Sequence, residues 1–308
     1  MNGFPRAGRR RSSATFAVLG ALVAGPAMQG CSPQPQAPGP LTAELNQFRD
    51  SYGTGIIEIQ LSNTANEPVT VLSAEVSTSL FPAGTAWHAQ AEGTEVPPGQ
   101  TKSLPARLPA PACGHPGTDE PETAEGAETG PGSAPAEVTV SVRQGSTTRE
   151  ERLTAADPFG VLARNYSELC LAQDAGEIAD IGLAPDLEVA ADGRTAVVRL
   201  RVTPRSAGAG ASRTLTIERI EGTTLLAEAQ GNPWPRSITV ATGAAPRELR
   251  LHIRPARCDP HAVAEDKVGT LLPLRADAGG RQGVLKVAAG TVLKARIYEF
   301  VTAACAAH

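Results

Sequence analysis

The chain has 308 residues, of which 41% are apolar and only 4% aromatic, and a formal charge of −4. This apolar content is enough for packed cores and excludes wholesale disorder, while the length exceeds one typical domain. Beyond the N-terminus no apolar run approaches the roughly 18 residues of a bilayer-spanning helix, which excludes a multi-pass membrane protein.

Residues 1–30 read as a secretory signal peptide. Arg6, Arg9, Arg10 and Arg11 form a basic start without acids, Ala14 to Met28 is apolar, and Gly30 leads to Cys31. Met28-Gln29-Gly30-Cys31 resembles the lipobox of bacterial lipoproteins. The resemblance covers about the first 31 residues and departs from the pattern twice, with Met28 where Leu is usual and Gln29 where a small residue is usual. It implies cleavage before Cys31, diacylglycerol on the Cys31 sulfur, and attachment to the outer face of the cytoplasmic membrane; if the motif is not used, the chain is secreted. Arg10-Arg11-Ser12-Ser13-Ala14 lacks the apolar residue expected after a twin-arginine pair.

Loss of residues 1–30 removes four Arg and no acid, leaving 24 basic against 32 acidic side chains and a formal charge of −8. A net acidic chain is a poor partner for nucleic acid. Both Met residues, Met1 and Met28, leave with the leader, so a Met-based copper site is excluded. Four Lys against many Arg, with heavy Ala, Gly and Pro usage, resembles an actinobacterial-type composition.

Residues 31–50 follow as a lipidated tether. SPQPQAPGP, residues 32–40, is an extended, semi-rigid spacer, and Leu41 to Phe48 is predicted to be helical. Two stretches of similar plan come next. Each opens on an alternating run predicted as a half-buried strand, Ile56 to Leu61 and Val197 to Val202, followed by a second strand from Val69 or Arg213. Each then carries one Trp and a Cys: Trp87 lies 26 residues before Cys113, and Trp234 lies 24 residues before Cys258. Each ends with Val-Leu, an Arg-x-Tyr step (Arg164 to Tyr166, Arg296 to Tyr298) and a second Cys, Cys170 or Cys305. The shared order of Trp, Cys, Arg-x-Tyr and Cys points to a tandem duplication.

The last segment of each half is predicted to be a helix. Asp157-Pro158 supplies an N-cap and a first-turn proline, and Leu293, Ile297, Phe300, Val301 and Ala304 form one apolar stripe. The expected fold is mainly β: two tandem immunoglobulin-like β-sandwich domains, residues 51–175 and 185–308, each ending in a short helix. The likeness to immunoglobulin domains is one of architecture, because here each Trp precedes both Cys. Residues 115–135, with five acids and no base, read as a solvated loop of the first repeat.

Cys31 taken by a lipid leaves four Cys. The repeat implies Cys113–Cys170 and Cys258–Cys305, although four Cys allow three connectivities, and export favours oxidation. The rival reading is a zinc or copper site on Cys113-x-His115 and Cys258-x-x-His261, with no CxxC pair beside either. No GxSxG, HExxH, GxxxxGK[ST] or GxGxxG lies in the strand-to-helix setting such motifs need. His88 and His252 read as surface residues, and Cys258 to Lys267 reads as a turn with local ion pairs. The expectation is a lipid-anchored cell-envelope protein of binding or scaffolding type, without enzymatic activity or cofactor. Its partners would be the membrane, through the anchor, and an envelope protein or cell-wall component. An envelope metal-binding protein is the alternative.

Overall fold

A computed structural model of the chain describes residues 39–90, 92–114, 136–207 and 212–306. Cys31, the acidic loop 115–135 with His115, and His308 lie outside the described residues. Where a helix was predicted from Leu41, the chain is extended. Leu41, Ala43 and Leu45 are buried and alternate with more exposed neighbours, so the period is two and not 3.6. Leu41 and Leu45 fit a helical face equally well as a pair, and the burial of Ala43 between them decides for strand β1, Leu41–Asn46.

The first half continues with β2 (Ile56–Asn63), β3 (Val69–Thr78), β4 (Phe81–His88), β5 (Thr94–Val96), β6 (Thr101–Arg107), β7 (Glu137–Gln144) and β8 (Thr147–Ala156). β1 pairs with β2 and β2 with β6 on one layer; β8, β7 and β3 pair in turn on the other, with β4 and β5 both on β3. Leu45, Ile57, Ile59, Leu61, Val71, Val76, Phe81 and Val140 point into one core between the layers. The end of β8 also pairs parallel with β1, Ala43 against Ala155 and Glu44 against Ala156, which makes the two layers one continuous sheet.

Helix α1 (Val161–Ile178) begins three residues later than Pro158 suggests. Gly160 takes a left-handed conformation at the N-cap, and Asp157 reaches past it to accept from the backbone N–H of Val161 (2.6 Å) and Leu162 (3.0 Å). The aspartate therefore caps from further back than a residue adjacent to the first turn does. α1 ends at Ile178 and β9 (Ala179–Val189) starts at the next residue, so the expected gap between residues 175 and 185 is helix and strand.

The second half has β10 (Ala196–Pro204), β11 (Thr214–Ile220), β12 (Leu226–Glu228), β13 (Ile238–Ala241), β14 (Arg247–Pro255), a short α2 (Pro260–Ala264), β15 (Leu271–Ala278), β16 (Arg281–Ala288) and α3 (Thr291–Ala306). Its layers run β12-β14-β10-β9 and β13-β11-β15-β16. The pairings β1·β2·β6 and β5·β3·β7·β8 of the first half thus recur as β9·β10·β14 and β13·β11·β15·β16. Two differences stand out. β4 lies beside β3, whereas β12 crosses to β14, on the opposite layer. Trp87, on β4, is half-buried, whereas Trp234 follows β12 in a loop and is buried, its Nε1 donating to the His252 carbonyl at 2.8 Å. The two Trp residues are not in equivalent places.

The second difference concerns the side on which β9 and β16 are the last strands of their layers. No β9–β16 ladder closes it among the described residues; α1 packs there instead, against β16, β15 and β9. The helix is shared. Val161 and Leu162 belong to the first core, while Leu171, Ala175 and Ile178 belong to the second. Burying Leu171 and Ile178 fully contributes about 2 kcal/mol each. Arg205 closes the C-terminus of α1, its Nε donating to the Gly176 carbonyl and its backbone N–H to that of Ile178, where a cation also complements the helix dipole. α3 buries the predicted stripe of Leu293, Ile297, Phe300, Val301 and Ala304 and packs on β9 and β14.

Candidate functional site

Cys113 is bonded to Cys170 on α1, and Cys258 to Cys305 on α3, so each bridge ties a helix to the segment leaving β6 or β14. Cys170 is fully buried and Cys258 exposed. A metal site on Cys113 or Cys258 needs a thiolate, and both sulfurs are in disulfides. His88 and His261 are exposed, and His252 is half-buried. Among the described residues no three His, Cys, Asp or Glu side chains converge to hold a metal, and no helix is long and apolar enough to cross a membrane. Asn165 is buried and hydrogen-bonded to Gln47.

The cluster from Cys258 to Lys267 does not form the local ion pairs expected of it. Asp259 caps α2 by accepting from the Ala262 N–H at 3.1 Å. Asp266 ties three elements together: it accepts from the Gly269 N–H (2.8 Å), the Tyr298 hydroxyl (2.8 Å) and the Thr224 hydroxyl. Burial, reinforced by the bond to Asp266, pushes the Tyr298 hydroxyl far above its ordinary pKa, so it stays a donor. Thr223 is equally committed, donating to the Gly269 carbonyl at 2.6 Å and accepting from Leu225 and Leu226 N–H. The hairpin at 222–226 is thereby fastened to residues 266–270.

These fastened segments form one wall of a cleft of about 390 Å³ at the seam of the two halves. Gly222, Thr223, Thr224, Arg257, Val268, Leu271, Pro273 and Lys286 of the second half line it, and Tyr52 of the first half completes it. Tyr52 reaches the seam because Gly53 turns there with φ +74°, a left-handed geometry natural to glycine. A Cβ on Gly53 would also stand 3.3 Å from the Leu271 side chain. Lys286 Nζ lies 5.1 Å from the Tyr52 ring centroid and 2.6 Å from Glu168 on α1; the Arg164 guanidinium is 5.4 Å from the same ring. Arg164 and Asn165 hold Gln47, whose amide also donates to the Ile56 carbonyl at 2.9 Å, so the turn carrying Tyr52 is anchored to α1.

Sequence reasoning did not find this site. Its cations, ring and hydroxyls come from positions 52, 223–224, 257 and 286, with no shared spacing or motif, and only the packing of the seam brings them together. The cleft lining contains no His, Asp, Glu, Cys or Ser. It offers donors, a ring and an apolar wall, and no nucleophile–base pair of the kind covalent catalysis uses.

No family model matches the chain, and no curated protein sequence matches it. Among solved structures, the exo-chitosanase CsxA of Amycolatopsis orientalis aligns over 81% of this chain at 13% identity and a TM-score of 0.19. The CupB2 chaperone of Pseudomonas aeruginosa aligns over 77% at 12% identity and a TM-score of 0.17, covering 93% of that chain. The adhesin InvE of Yersinia pseudotuberculosis aligns over 82% at 12% identity and a TM-score of 0.16, covering 59% of that chain. The chain spans about a quarter of the chitosanase, 26% of its length. At these TM-scores no shared fold follows.

Proposed function

We propose that this is a lipid-anchored cell-envelope protein of binding type, without enzymatic chemistry, held at the outer face of the cytoplasmic membrane through Cys31. One observation carries the binding part of the reading: the seam cleft is lined by two cations, a ring and an apolar wall, side chains suited to recognition, while the anchor rests on the Met28–Cys31 motif. Its walls are held by cross-links from both halves, which is the preorganisation that binding needs and that loops on a flexible joint lack. The Pro-rich segment 32–40 would set this body off the membrane at the end of a short semi-rigid spacer. A lone acyl chain anchors only marginally, whereas the two chains of a diacylglycerol anchor stably.

The test is expression of the full chain and of Cys31→Ser in a bacterial host with lipoprotein processing intact. The native chain should fractionate with the membrane and carry a mass gain of diacylglycerol, and Cys31→Ser should not. Equal membrane fractions for the two would overturn the anchor, and turnover of any glycoside or ester substrate that Tyr52→Ala abolishes would overturn the binding assignment.

A further inference from the structure

We infer that the seam cleft binds a small acidic ligand, a carboxylate or phosphate monoester of about a monosaccharide's size, with Arg257 as the anion anchor. The inference deepens the binding reading above and rests on it, but not on the anchor at Cys31. Two cations line the cleft and no acid does. Their situations differ. Lys286 is already opposed by Glu168 at 2.6 Å and stacked on Tyr52, so most of its charge is spent within the protein. The Arg257 guanidinium, in contrast, has no hydrogen-bond or ion-pair partner among the described residues.

A planar fork of N–H donors left open at a concave surface is matched by the two oxygens of a carboxylate or phosphate. Arg257 is also held in place: it precedes Cys258, whose bond to Cys305 fixes that residue to α3. The rest of the lining sets the size and character of the ligand. Val268, Leu271 and Pro273 form an apolar wall for a hydrocarbon face. The Tyr52 hydroxyl, also without a partner among the described residues, is free to bond a ligand hydroxyl. The Thr223 and Thr224 hydroxyls are committed inward, so they shape the wall and do not read the ligand. The volume of about 390 Å³ falls at the lower end of the range for small-molecule sites.

Isothermal titration of the full chain with glucuronate, glucose 6-phosphate and neutral glucose tests this. At least one of the two acidic probes should bind one-to-one and at least tenfold tighter than glucose, with affinity falling as NaCl is raised. The two acidic arms separate carboxylate from phosphate recognition. Arg257→Ala, at an exposed position, should weaken the acidic probe at least tenfold while leaving the thermal midpoint unchanged, and Arg257→Lys should recover only part of the loss. Equal binding of acid and neutral sugar, no binding of either acid up to about 10 mM, or an unaffected Arg257→Ala would each overturn the inference. The anchor stands or falls separately, on the membrane fraction of Cys31→Ser.

Discussion

Arg281 on β16 places its Nε 2.7 Å from Asp174 Oδ2 on α1, with the two side chains only 10% and 11% exposed. This is a nearly buried ion pair across the seam, and Arg281 also donates to the Gly114 carbonyl at 2.6 Å. Breaking such a pair from the cationic side leaves the Asp174 carboxylate without its counterion in poor solvent, at a cost of about 3–5 kcal/mol. Arg281→Met should therefore lower stability in urea by about 3 kcal/mol. The double variant Asp174→Leu, Arg281→Met, which removes both charges, should be the more stable of the two. A double variant as unstable as the single would show that the pair's charge is not what matters.

The disulfides differ in access. Cys170 is fully buried, whereas Cys258 is exposed and Cys305 half-buried. Under graded reductant with alkylation and intact-mass readout, the Cys258–Cys305 bridge should open first. The loops span 57 and 47 residue steps, so in the chain-entropy model each bridge contributes about 4 kcal/mol through the unfolded state. Opening of Cys113–Cys170 ahead of the other would contradict the burial argument.

Glu58 on β2 is 6% exposed, and burial together with nearby Asp50 raises its carboxyl above the ordinary value near 4.5. A raised acid pKa means that the folded state holds the proton more tightly than the unfolded state. The folded state is thus favoured at low pH and disfavoured as pH rises through the folded value. Glu58→Gln should raise the melting midpoint at pH 7 and leave it nearly unchanged at pH 3.5. A lower midpoint at pH 7 would mean that the carboxylate is a net stabiliser.

Glu188 and Glu221 behave oppositely. The Arg250 bond to Glu188, and the Arg275 and then the Arg219 bonds to Glu221, hold both carboxyls below 4.5. Their contribution is present above the unfolded value and lost as pH falls through the folded one. Replacing both by Gln should flatten the loss of stability below about pH 4.5, measured by urea titration at several pH values. Because both groups face solvent, the effect should also shrink in high salt.

The sharing of α1 predicts how fragments behave. Residues 179–308 alone lack Leu171, Ala175 and Ile178 and leave the β9 and β16 side of the sandwich uncovered. They should associate or unfold without cooperativity. Residues 157–308 carrying Cys170→Ser should be monomeric and unfold cooperatively. Identical unfolding of the two fragments, followed by circular dichroism and gel filtration, would show that α1 is dispensable to the second half.

Much of this fold was legible because its signals are local. Ile56 to Leu61 and Val197 to Val202 alternate and form β2 and β10, and the stripe from Leu293 to Ala304 forms the buried face of α3. β1 was misread because Leu41 and Leu45 satisfy both periods, and the burial of Ala43, which pairing with β2 and β8 brings about, distinguishes them. The matching Trp residues misled for a related reason: equal spacing to a Cys says nothing about which layer the intervening strand joins. The cleft was beyond reach. Lys286 and Glu168 are 118 residues apart, and Tyr52 is further still from Lys286. Nothing in the sequence near any of them marks a shared destination.

Closing one side differently in each half fixes their order. The first half seals the side between β1 and β8 with its own backbone, whereas the second relies on the helix that arrives just ahead of it. A gene rearranged to place the second half first would encode β9 with no preceding α1 and would expose both rim strands at the start of the chain. The second half thus depends on what comes before it in the chain in a way that the first does not.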